Sequence, residues 1–335
     1  MRKILAGVTT AAIVVLAACS SASQGVDSSI PSAGANPNRA GSEFTRIGVP
    51  IQDLRSQEIL QDLRGVSPDA KKKLPDDLFV DDRGLNAVEI LENGTWHNDG
   101  SISNGIDAPD GNWVDTKGNL YVADFTGANV QEYKPGATSP TFTYSAGMTD
   151  PVVVTTDSHG KVYEGDYIGS YVNEYTQGSN GVLHNCAPGG MVEAVAVDAA
   201  GDVFVAYNLN STAKIIKYTG GLKGCSGTVL GVTLKFAGSM VLDAHSDIIV
   251  CDQGARTVDV LDPPYRHISR KLGSGWSDPF HVTINKKNNQ AYVVDFNNAN
   301  VQVLAYPSGK NQATLNSANG LSVPDGAVDG SNFNP

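Results

Sequence analysis

Five aspartates, Asp82, Asp124, Asp166, Asp252 and Asp295, each close a short apolar stretch such as Leu120-Tyr121-Val122-Ala123-Asp124. Carboxylates gathered in one place can bind a cation or share a proton. Their spacing points to another role. They recur at steps of 42, 42, 41, 45 and 43 residues, with Tyr207 once in the slot, and one acid per repeat is expected to accept hydrogen bonds from backbone N–H groups of the adjoining loop. Of the six histidines, His159 and His245 stand in tight polar turns and His97, His184 and His267 in outer or connecting segments, where a solvent-facing ring is expected. The chain has no Gly-x-Ser-x-Gly elbow, no His-Glu-x-x-His pair, no phosphate-binding Gly-Lys-Ser/Thr loop and no EF-hand loop, so none of those chemistries has a sequence basis.

The elements that must position these residues are read from the same period. The apolar residue after each aspartate recurs at Val88, Val130, Val172, Ile215, Val258 and Val301, in steps of 42, 42, 43, 43 and 43. Before each strand comes an apolar segment ending in Asp or Asn and a polar turn, as in Trp113-Val114-Asp115 with Thr116-Lys117-Gly118-Asn119, which is hairpin chemistry. A unit of about 42 residues built of short strands is a propeller blade. Near the C-terminus Pro324-Asp325-Gly326 echoes Pro109-Asp110-Gly111 at a separation of 215, five repeats of 43. The tail is therefore expected to supply the innermost strand of a blade whose outer strands run from Leu78 to about Ile102, which closes the ring and removes its free edges. The fold class predicted is all-β, a six-bladed β-propeller over residues 78–335. A short helical or extended brace precedes it at 46–77, where Ile51, Leu54, Ile59, Leu60 and Leu63 recur at helical spacing before Gly65 and Pro68.

The repeats resemble those of the NHL family, most closely over Pro109 to Tyr133, then over Phe280 to Tyr306, and in outline over Pro151 to Tyr175 and Ala194 to Tyr218. The resemblance covers roughly residues 78–330 and implies a fold rather than a reaction. Related six-bladed rings include lactonases of the gluconolactonase and paraoxonase type, with calcium in the channel, and the NHL-like peptidyl-hydroxyglycine lyase, with zinc. That resemblance directs attention to the starts of the innermost strands, near Pro109, Pro151, Val192, Ala237, Pro279 and Pro324. The polar residues there are Asp110, Asn112, Glu193, His281 and Asp325. Asp110, Glu193, His281 and Asp325 are the metal candidates, since oxygen ligands suit calcium and an added imidazole suits zinc. The bland alternative is that they solvate a wet channel mouth. Val152 and Gly238 leave gaps in the pattern. A His and Glu blade motif of the streptogramin lyase kind is not found.

The N-terminus carries its own signal. Arg2 and Lys3, an apolar run from Ile4 to Ala18 and then Cys19 match a secretory signal of 1–18, and Leu16-Ala17-Ala18-Cys19 resembles the lipobox of bacterial lipoproteins. The resemblance implies that Cys19 is lipidated and that several acyl chains hold the protein in the cell envelope, with Ser20 favouring the outer membrane in a Gram-negative cell. Residues 19–45 read as a flexible tether. In that oxidising setting Cys186 and Cys225 are candidates for a disulfide, while Cys251, within the strand Ile248 to Asp252, is a small buried hydrophobe. A net charge of -11 with no basic stripe speaks against nucleic acid, and Lys71-Lys72-Lys73 is a solvated run among Asp69, Asp76 and Asp77. Trp96, Trp113 and Trp276 are either contact surface or packing between blades. Two functions follow: a non-catalytic, monomeric binding module for a protein, peptide or glycan, or a hydrolase or lyase using calcium or zinc at the channel mouth.

Overall fold

The computed structural model describes residues 77–331; the signal, Cys19, the tether and the expected helix of residues 50–65 lie outside the described residues. Twenty-four strands form six four-stranded antiparallel sheets in a closed ring. Blades are numbered here from the one that holds residue 78. Their innermost strands are Pro324–Asp329, Pro109–Val114, Pro151–Thr156, Met191–Val197, Ala237–Leu242 and Pro279–Ile284, in blades one to six. Each lies against the innermost strands of both neighbours.

Closure is as the repeated Pro-Asp-Gly implied. The C-terminal strand pairs with Leu78–Asp82 in register Leu78↔Asp329 to Val80↔Ala327, and Ala87–Leu91 and Asn98–Ile102 complete blade one from the N-terminal side. Glycine matters where these inner strands meet. A Cβ on Gly111 would stand 2.6 Å from the Val152 carbonyl oxygen of the next blade, and one on Gly326 would stand 2.8 Å from that of Asp110. Neither position tolerates a side chain without moving a strand.

The core lies between blades. Val, Ile and Leu from facing sheets interdigitate with aromatic rings, among them Tyr121, Tyr144 and Tyr175, whose successive centroids lie 6.4 and 5.6 Å apart. Trp113 and Trp276 are buried in this layer, donating to Thr156 Oγ1 and the Leu272 carbonyl, and Trp96 meets Tyr292 edge-on. The tyrosines have packing roles. Cys186 is bonded to Cys225, with Cα atoms 5.3 Å apart, tying the outer strand of blade three to the loop before the outer strand of blade four. Cys251 is buried and free.

Candidate functional site

The turn joining the second and third strands of each blade stands on the same face as the start of the innermost strand. Backbone bonds from Arg83 to Val323, Phe125 to Ala108, Tyr167 to Asp150 and Phe296 to Asp278 join the two directly. The strand-ending aspartates hold this joint. Asp124 accepts from the N–H groups of Asp107 and Gly127, Asp166 from Thr149, Asp150 and Gly169, and Asp252 from Lys235, Phe236 and Ala255. Asp82 and Asp295 do the same for Ser322, Val323 and Leu85 and for Ser277 and Asp278. These five acids are therefore brackets between the chain entering a blade and that blade's outer hairpin, as expected from one per repeat.

The residue after each bracket differs from blade to blade: Arg83, Phe125, Tyr167, Asn208, Gln253 and Phe296. Arg83 is the one cation in this slot, and it is buried. Its guanidinium meets Asp110 of blade two at 2.8 Å and Asp325 of blade one at 2.8 Å, and lies 5.4 Å from the Phe125 ring centroid. Asp81, wholly buried beside them, accepts from Asn112 Nδ2 at 2.9 Å. Burial pushes the Asp81 carboxyl well above the usual carboxylate range; the bond from Asn112 opposes this, and the charges of Asp325, Asp110 and Asp124 add to it. Burial likewise lifts Asp124 to about 6, against its two backbone donors. The mouth of the channel thus holds a buried acid whose pKa is raised and two carboxylates that share one internal guanidinium.

The structure brings together two of the four candidate ion ligands. Asp110 and Asp325 do come together, but across Arg83, so the positive charge a metal would bring is supplied by the chain itself. Glu193 lies on the innermost strand of blade four, opposite blade one in the ring, and accepts from Asn208 Nδ2 at 3.2 Å. His281 is buried, and its Nδ1 faces the Ala327 N–H at 3.3 Å across the blade boundary. Among the described residues no group of three or more His, Cys, Asp or Glu is placed to hold a metal ion.

The fold has known counterparts. A chain in the crystal structure of a nidogen/laminin complex superposes with a TM-score of 0.63 at 16% identity, over 75% of this chain and 97% of that one. The WD40 β-propeller domain of Doa1 does so with a TM-score of 0.54 at 14% identity, over 75% and 81%. No family model and no curated protein matches the sequence. At these identities the likeness is one of fold.

Arg83 was not among the residues singled out from sequence. The available signal was its place: the only Lys or Arg in a slot otherwise held by aromatic and amide side chains, between the two Pro-Asp-Gly copies once the ring is closed. The same face carries a second feature. Leu85 and Ile168, in the second-to-third-strand turns of blades one and three, and Leu209, the last residue of the second strand of blade four, are 38%, 62% and 45% exposed, three of the seven large apolar side chains so exposed among the described residues. The imidazoles of His159 and His245 stand in the inner hairpin turns of their blades, each next to its turn aspartate.

Proposed function

We propose that this protein is a non-catalytic propeller of the bacterial cell envelope, NHL-like in its repeats and held by lipid on Cys19, that binds a protein or peptide on the face of its channel mouth. The observation that carries the reading is the coincidence on one face of neutralised, buried carboxylates and exposed apolar tips. Arg83 engages Asp110 and Asp325 internally, so the chain itself supplies the positive charge that these two acids face, while Leu85, Ile168 and Leu209 offer the apolar anchors that protein interfaces use. The two propellers of like fold are consistent with this reading, one coming from a nidogen/laminin complex.

Cross-linking in producing cells, wild type against the Ile168→Glu/Leu209→Glu double variant, tests it. The double variant is expected to lose roughly tenfold or more of its cross-linked partner, the effect of removing two hot-spot side chains, with its far-UV CD unchanged. Equal recovery by both proteins, or a stoichiometric calcium or zinc ion in the purified wild type, would return the hydrolase or lyase reading. The anchor is tested separately: Cys19→Ser is expected to move the protein from the membrane to the soluble fraction, and an unchanged distribution contradicts lipidation.

A further inference from the structure

The ring's charge is unevenly placed. Residues 203–277 hold eight Lys and Arg against five Asp and Glu, whereas the remaining described residues hold seven against 23. From 203 to 242 there is no acid at all, in a stretch carrying Lys214, Lys217, Lys223 and Lys235. The fold then uses up much of the neutralising capacity. Asp243, Asp252 and Asp259 are buried, Lys217 pairs with Asp202 at 2.6 Å, and Arg270 pairs with Asp247 at 3.3 Å. Six of the eight cations have no carboxylate within ion-pair distance among the described residues; besides Lys223 and Lys271 they are Lys214, Lys235, Arg256 and Arg266, and the last three are exposed.

These four gather along the crossover from blade four to blade five, residues 230–236. Lys214 donates to Thr233 Oγ1, beside the paired backbones of Ala213 and Leu234. Lys235 packs on Gly254, where a Cβ would stand 2.7 Å from its own, and Arg256 is two residues further on. A Cβ on Gly231 would stand 3.7 Å from the Cα of Arg266. The crossover and three neighbouring segments thus carry one cation each along this seam, and Gly231 and Gly254 bare the backbone between them.

We infer that this seam binds an acidic polysaccharide, a chain bearing carboxylate or sulfate groups. A row of solvated cations attracts an anion at the range of the Debye length, about 10 Å at 0.1 M salt. Such a row suits a thin, repeating polyanion that lies along it. A folded protein partner would need an apolar anchor at its centre; the exposed apolar residues beside the seam, Val229 and Ile268, are single aliphatic side chains, and the cations themselves flank glycine rather than an aromatic ring. Single-stranded nucleic acid stacks its bases on aromatic side chains, and none is exposed among the four cations. The inner end of the seam, Lys235 and Arg256, lies on the channel-mouth face at blade five, but the proposal uses none of Arg83, Leu85, Ile168 and Leu209, on which the channel-mouth reading rests.

The test is fluorescence anisotropy of the full chain with labelled polygalacturonate and labelled dextran sulfate at about 50 mM salt. Wild type is expected to bind at least one of them, and the Lys235→Ala/Arg256→Ala/Arg266→Ala triple variant to bind it roughly tenfold more weakly or worse, the summed effect of three exposed charge contacts. The two probes separate carboxylate from sulfate. The Lys117→Ala/Lys286→Ala/Lys287→Ala variant, which removes as much charge from exposed hairpin turns, is expected to bind as wild type does. Equal weakening by both triple variants, tighter binding of a labelled single-stranded oligonucleotide, or no binding of either polysaccharide by wild type would overturn the proposal.

Discussion

Replacing Arg83 by methionine is expected to lower the unfolding free energy of the ring by about 3–5 kcal/mol, the cost of stranding buried charge. Asp110 and Asp325 both rest on this guanidinium at 2.8 Å and are buried beside Asp81. Methionine keeps the apolar stem against Phe125 but leaves the two carboxylates facing each other in a region of low dielectric. The loss also falls on closure, since Arg83 follows the N-terminal strand of blade one, Asp325 belongs to the C-terminal strand of the same blade and Asp110 to blade two. Urea unfolding followed by far-UV CD measures the effect. Adding Asp110→Asn and Asp325→Asn to the methionine variant is expected to recover at least half of it, because neutral amides no longer repel. A single-variant cost under about 1 kcal/mol, within the range of a surface ion pair, would refute the clamp. No recovery in the triple variant would assign the loss to packing instead.

The clamp was hidden in the sequence for the reason that the ring was legible. What repeats every 42 or 43 residues is what every blade needs, so the bracket aspartates and the Pro-Asp-Gly echo disclosed blade count, strand order and the manner of closure. A residue that occurs in one blade only has no period to betray it. Arg83 occupies a slot where its counterparts are Phe125, Tyr167, Asn208, Gln253 and Phe296, and its meaning depends on the two ends of the chain lying side by side. The partners of the four candidate ion ligands were hidden for a related reason. Irregular register falls between Val192 and Ala194, between Pro279 and His281, and between Pro109 and Asn112. An extra residue in a strand re-aims the side chains around it, so counting from the first residue of each inner strand did not reveal which side chains meet. Glu193, inside one such irregularity, is engaged with Asn208; His281 reaches toward blade one.

The second large effect concerns pH and runs against the ordinary acid denaturation of proteins. Burial lifts Glu89, on the third strand from the centre of blade one, from 4.5 to about 7, against the opposing bond from Asn98 Nδ2 at 2.6 Å. Burial also lifts Asp124 to about 6 and drives Asp81 and Glu164 well above the usual carboxylate range. A carboxyl whose folded pKa is raised holds a proton that the unfolded chain releases. Its contribution is complete below the unfolded pKa and is lost as the pH climbs through the folded one, so for Glu89 the window is about 4.5 to 7. Over that window Glu89 alone is worth roughly 3 kcal/mol by linkage. Asp202, whose carboxyl Lys217 holds low, works in the opposite sense. Chemical unfolding is therefore expected to need more denaturant at pH 5 than at pH 8. Glu89→Gln, which keeps an acceptor for Asn98 but cannot ionise, is expected to be more stable than wild type at pH 8 and to show a shallower pH dependence. A wild type more stable at pH 8 than at pH 5 would mean that these carboxyls keep their charge when buried. A Glu89→Gln variant with the full wild-type slope would move the effect to Asp81, Asp124 and Glu164, the acids nearest the channel and blade three.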